Sequence, residues 1–266
     1  MSNVETVELT NEGTVARTFT GTGTTGVTDY VLNGAVNLSG LTEISNVHIA
    51  DTTSDLTVAY ASKVTDGTAD EMSLAINNVG TADDPDTTAN EEKIVKATMS
   101  GVETVNLEAE GVNVVNLDGL ATKAVTAAGA GSLKITDVNA ATKTIDASAM
   151  TGDVDLAMAT AAGATLVTTG TGDDKVTANI SSDLTANATL AGGGGSDTLV
   201  LSGGAGTVQY TQSGFETIEL GDTGAATTVS LKNTENLTNI DVNKAADAAT
   251  TFASAGAVDF TIGIQG

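Results

Sequence analysis

Two series of apolar residues run in step through the second half of the chain, and their recurrence narrows the possible folds more than any other feature. The first, Val114, Ile135, Leu156, Val176, Leu199 and Val229, has spacings of 21, 21, 20, 23 and 30 residues. The second, Val125, Ile145, Leu166, Leu190, Ile218 and Ile240, has spacings of 20, 21, 24, 28 and 22. Two strand anchors in each repeat of about 21 residues are the mark of a solenoid. One such coil cannot bury its own apolar face, whereas stacked coils pair every strand edge and build a continuous core. The spacing therefore predicts an all-β, parallel β-solenoid (β-helix or β-roll) with coils of about 20–23 residues. The long step from Leu199 to Val229 predicts an outward loop around residues 203–214.

Short phrases between Gly, Asn, Asp and Thr alternate polar and apolar residues, as half-buried strands do. One phrase nearly repeats: Val4-Glu5-Thr6-Val7-Glu8-Leu9, Val102-Glu103-Thr104-Val105-Asn106-Leu107 and Phe215-Glu216-Thr217-Ile218-Glu219-Leu220. Its polar side chains are expected to face outward. No 3.6-residue apolar period persists with caps at both ends, so long helices are not expected. In the first hundred residues, 36–38, 47–49, 56–58, 74–76 and 94–95 read as strands of the same architecture with more insertions. The expected organisation is an irregular β-rich part, 1–100, with an acidic loop at 80–92, and a regular solenoid, 101–266. That loop carries Asp83, Asp84, Asp86, Glu91, Glu92 and Pro85, the only proline, and reads as solvated. Strand phrases at both ends predict raw solenoid edges and an excerpt of a longer protein.

Composition agrees with a narrow interior. Aromatic residues make up 3% and tryptophan is absent, so Val, Leu, Ile and Ala must fill the core in thin layers. The formal net charge is −24 and Arg17 is the only arginine, which argues against nucleic acid and anionic membranes and favours cations as partners. Cysteine is absent, leaving oxygen-ligated ions in place of disulfides or thiolate sites. No apolar run approaches the roughly 20 residues of a membrane helix, and the first residues lack a basic region followed by an apolar stretch. Direct membrane insertion and an amino-terminal export signal are therefore not expected.

The sharpest local motif is Gly192-Gly193-Gly194-Gly195-Ser196-Asp197-Thr198-Leu199-Val200, which matches the nonapeptide G-G-x-G-x-D-x-U-x at every specified position. Thr169-Gly170-Thr171-Gly172-Asp173-Asp174-Lys175-Val176-Thr177, 23 residues earlier, matches it except at Thr169. A glycine-rich turn can aim carbonyls at a cation because glycine tolerates positive φ, and calcium takes six to eight such oxygens. If the two turns stack, Asp174 and Asp197 come together, and a divalent cation between them turns repulsion into attraction. A tight corner that binds nothing is the other reading of these glycines.

The two nonapeptides resemble RTX calcium-binding repeats. Gly101-Val102-Glu103-Thr104-Val105-Asn106-Leu107 and Ile145-Asp146-Ala147-Ser148-Ala149-Met150-Thr151-Gly152 look like phrases of Gram-negative S-layer proteins. The resemblance spans residues 100–242 and implies a parallel β-roll or β-helix, calcium-binding turns and type I secretion with an uncleaved carboxy-terminal signal. Carried over by position, it implicates Gly170, Gly172, Asp174, Gly192, Gly193, Gly195 and Asp197 as calcium (Ca2+) ligands, with Asp173 as an addition. The chain departs from that pattern in having two good nonapeptides, not a continuous array. A third candidate, 203–208, has Val208 where the aspartate belongs. A few calcium sites are expected.

The resemblance implies a structural component of a bacterial surface layer, extracellular, self-associating into a lattice and in contact with cell-surface polysaccharide. An enzyme is not expected. His48 is the sole histidine, reads as a surface residue on a strand, and has no recognisable nucleophile beside it. A calcium-dependent adhesin or carbohydrate-binding module shares this fold and charge and is the alternative. A β-helix polysaccharide lyase would need cationic side chains at the acidic motif, where only Lys175 lies close. Thr18, Thr20, Thr22 and Thr24 alternate but do not recur at coil spacing, so no ice-binding array is expected.

Overall fold

A computed structural model describes residues 4–84, 86, 90–158, 163–179, 182–202, 206–207, 210–221, 227–231, 236–242, 250–253 and 261–264. Among them there is no helix, and strands alternate between two parallel sheets. The first sheet has ten strands: Thr6–Asn11, Asp29–Gly34, Asn46–Thr52, Glu71–Val79, Thr104–Glu110, Ala124–Gly129, Thr144–Met150, Ala164–Thr168, Leu184–Ala191 and Tyr210–Ser213. The second has twelve: Arg17–Thr20, Val36–Leu41, Leu56–Tyr60, Val95–Met99, Val112–Leu120, Ser132–Val138, Val154–Ala157, Lys175–Asn179, Thr198–Ser202, Thr217–Leu220, Asn239–Val242 and Thr261–Ile264. Gly206–Thr207, Thr227–Ser230 and Thr250–Ala253 form a third, short sheet. Parallel neighbours need a crossover, and here each crossover is a strand of the opposite sheet. The chain is thus a β-solenoid of about ten coils, and both sheets run unbroken past residue 100.

Register explains how aliphatic residues suffice for the core. Val105, Val125, Ile145, Val167 and Leu190 stack in the first sheet. Facing them, Val115, Ile135, Leu156, Val176, Leu199, Ile218 and Ile240 stack in the second. All twelve are at most 3% exposed, and each stabilises the fold by about 1.5–3 kcal/mol relative to an exposed side chain. Like sits on like at the strand spacing, and among the described residues Tyr30, Tyr210 and Phe215 are the aromatic side chains buried in this interior.

The recurrence placed seven anchors correctly and five incorrectly. Val114 pairs with Lys134 rather than Ile135; it is buried outside the main core, with a Cβ built on Gly80 only 3.1 Å from its own Cβ. Val115 takes the inward position. Leu166 pairs with Thr144 and is half-buried, while Val167 points inward. Ile218 and Ile240 belong to the second sheet, in the column of Leu199, and Val229 to the third sheet, opposite Phe252. Two adjacent apolar residues satisfy a spacing equally well, but strand alternation sends them to opposite faces. The expected outward loop at 203–214 is also corrected: Gly206–Thr207 and Tyr210–Ser213 are strands of the third and first sheets, and 203–205 and 208–209 lie outside the described residues.

The early strands fall where expected, except that Ile94 is 43% exposed and its strand starts at Val95. The acidic excursion is closed by an antiparallel bridge between Thr81 and Lys93 and exposes Asp83, Asp84 and Asp86. Lys134 Nζ, 2.5 Å from Glu92, ties it to the second sheet. Pro85 lies outside the described residues.

A glycine and carboxylate corner as candidate cation site

From residue 111 onward, the corner leading from each first-sheet strand to the next second-sheet strand lengthens along the chain. It is Gly111 alone, then 130–131, then 151–153, then 169–174 and 192–197, before shortening to 214–216. The two motif turns are therefore successive versions of one corner, stacked directly on each other. A Cβ on Gly195 (φ +132°) would lie 2.1 Å from the carbonyl oxygen of Gly172, and one on Gly193 (φ +88°) 2.0 Å from that of Gly170. Only glycine allows the coils to approach so closely at these two positions. Gly172 sits in the same way on Gly152, Gly170 on Met150, and Gly192 leaves no room for a side chain beside Asp197.

The aspartates form two ladders across the coils. Asp174 is buried: Oδ1 accepts the amide of Val154 at 2.7 Å and Oδ2 that of Gly170 at 3.0 Å. The amide of Asp174 donates to Oδ1 of Asp197 at 2.9 Å, and the amide of Asp197 to Oε2 of Glu216 at 2.8 Å. An exposed ladder runs the other way, with the amide of Asp173 donating to Asp153 Oδ1 at 2.9 Å and that of Ser196 to Asp173 Oδ1 at 2.8 Å. Each carboxylate thus holds a backbone amide of an adjoining coil, a charge-assisted bond that stabilises the stack.

One oxygen has no such partner. Asp197 is 1% exposed, and its Oδ2 is buried without a hydrogen bond. Burial pushes the Asp197 carboxyl up to about 7, opposed by the Asp174 amide and reinforced by the charges of Asp174, Glu216 and Asp173. Burial also raises Asp174, against the amides it accepts. A buried carboxylate in this state takes either a proton or a cation. The donors here are all oxygen, which fits a hard cation anchored on Asp197. No three acidic or histidine side chains converge on a metal position among the described residues, so the carboxylates alone do not form a cage.

All eight sequence-selected residues thus lie in one stacked corner, with Asp174 and Asp197 turned inward and Asp173 outward. Sequence reading missed Glu216 and Asp153, which complete the ladders. It also gave the Glu-Thr phrases outward glutamates, whereas Glu216 and Glu103 turn back to accept the amides of Asp197 and Asp70. The signal was present in their position directly before a strand, one coil away from an aspartate. Asp183, buried and accepting the amide of Asn179 at 2.8 Å, was missed at another corner. Comparison with protein-family models, curated proteins and solved structures finds no match.

Proposed function

We propose that the chain is a structural component of a bacterial surface layer, an extracellular solenoid stiffened by calcium at the Asp197 corner that associates with copies of itself. The observation that carries this reading is the commitment of the described residues to two long parallel sheets and a short third one around a solid, largely aliphatic core. Such a body has its functional capacity on its outer faces, and repeated coils offer repeated side-to-side contacts. Calcium is supported by the unpartnered Oδ2 of Asp197 amid the charges of Asp174, Glu216 and Asp173, with turn carbonyls available to extend the oxygen set. Bound there, the ion would neutralise that charge and tie adjacent coils, so binding free energy becomes folding free energy. The reading is non-catalytic: His48 is held on the surface by Asp29, 3.3 Å away. Electron microscopy of the purified chain with millimolar calcium and with chelator tests it. Ordered sheets that disperse with chelator are expected; dispersed particles in both conditions overturn the lattice reading.

A further inference from the structure

The outer face of the first sheet carries a depression of about 440 Å³ that spans five strands between Asp29–Gly34 and Ala124–Gly129. Its shape follows from register. In one outward row His48 is followed by Ala75 and then Glu108; in the next, Asn33 is followed by Ala50 and then Asn77 and Glu110. Alanines between longer side chains leave a hollow whose floor is methyl groups and whose walls are amide, imidazole and carboxylate. The walls are braced from outside: Asn33 Nδ2 donates to Glu8 Oε1 at 2.9 Å, and His48 Nε2 lies 3.3 Å from Asp29 Oδ1. Glu108 and Glu110 are exposed and form no ion pair among the described residues. The volume lies within the roughly 300–1,000 Å³ of ligand sites.

We infer that this groove binds a neutral oligosaccharide lying along the solenoid axis. Carboxylates accept sugar hydroxyls through charge-assisted hydrogen bonds, and Asn33 and Asn77 can donate and accept. The methyls of Ala50, Ala75 and Ala128 meet the C–H faces of the rings. Five strands span about 19 Å at the strand spacing, a length for several sugar units. Glu108, Glu110 and the net charge of −24 repel acidic sugars and phosphate esters. The site lies apart from the aspartate corner and depends on neither calcium nor lattice assembly.

Isothermal titration of the full chain with neutral glucan, mannan and N-acetylglucosamine hexasaccharides tests the inference, with hexagalacturonate as the acidic comparison. Saturable binding of at least one neutral probe is expected, with none of hexagalacturonate. Ala75→Trp, which fills the groove, and the exposed Glu108→Gln, Glu110→Gln pair should each weaken binding at least tenfold while thermal melts and calcium-dependent assembly persist. Should Ala75→Trp fail to fold, the double variant decides. Binding of no neutral probe, preference for hexagalacturonate, or affinity within twofold of the parent in every folded variant overturns the proposal.

Discussion

Replacing Asp197 by asparagine separates the charge of the corner from its shape. The Asp197 carboxyl titrates near 7 in the fold against an ordinary 3.8. Between those values the native chain binds more protons than the unfolded one, so stability from this group falls as pH rises from about 4 to about 7 and is flat above. At about 1.4 kcal/mol for each tenfold change in the proton equilibrium, the buried charge costs at most about 4 kcal/mol above pH 7. Asparagine keeps the acceptor for the Asp174 amide and carries no charge at any pH. In chelator, the variant should therefore gain on the parent between pH 5 and pH 8 by at least about 1 kcal/mol and up to about 3 kcal/mol, since only about the last two pH units of the titration fall in that window. Circular dichroism melts at both pH values measure it, since 1 kcal/mol moves the midpoint of a chain this size by about 2–4 °C. Calcium at pH 8 should stabilise the parent and leave the variant unchanged. A difference between the two chains that is the same at pH 5 and pH 8 would refute the assignment of a raised, charged Asp197.

Gly193→Ala places a Cβ 2.0 Å from Gly170 O at φ +88° and should cost at least about 2 kcal/mol. Gly194→Ala meets nothing within 4 Å and should stay within about 0.5 kcal/mol; chemical denaturation of both compares them. Leu190→Ala, in the core column, should lose about 2–5 kcal/mol, and Leu166→Ala, half-buried, clearly less by the same assay. Glu92→Gln breaks a surface pair with Lys134 and should change stability by no more than about 1 kcal/mol, with the difference shrinking in high salt.

The solenoid was legible because stacking imposes a repeat that aliphatic residues alone can satisfy. Ile135, Leu156, Val176 and Leu199 recur at coil spacing and are register partners in one sheet. What misled was chemistry the repeat does not encode. At Leu166 and Val167 both neighbours are apolar, and only the pleat decides which is inside. Beyond Leu199 a third sheet begins, and Val229, 30 residues on, joins it while Ile218 continues the Leu199 column. The corner was read through its glycines, whose motif is conspicuous, while the glutamate completing it was hidden in a strand phrase. The only signature such a cross-coil bond leaves is positional, a glutamate directly before a strand and one coil from an aspartate.

The parallel ladders also set how the molecule bears load. Inter-strand hydrogen bonds run from coil to coil, along the solenoid axis, whereas the strands lie across it. Tension along the axis would strain rows of weak bonds in series and peel the end coil first. Tension across it would pull on covalent backbone, with successive coils sharing the force in parallel. A sheet woven from such bodies would be stiff in one in-plane direction and compliant in the other.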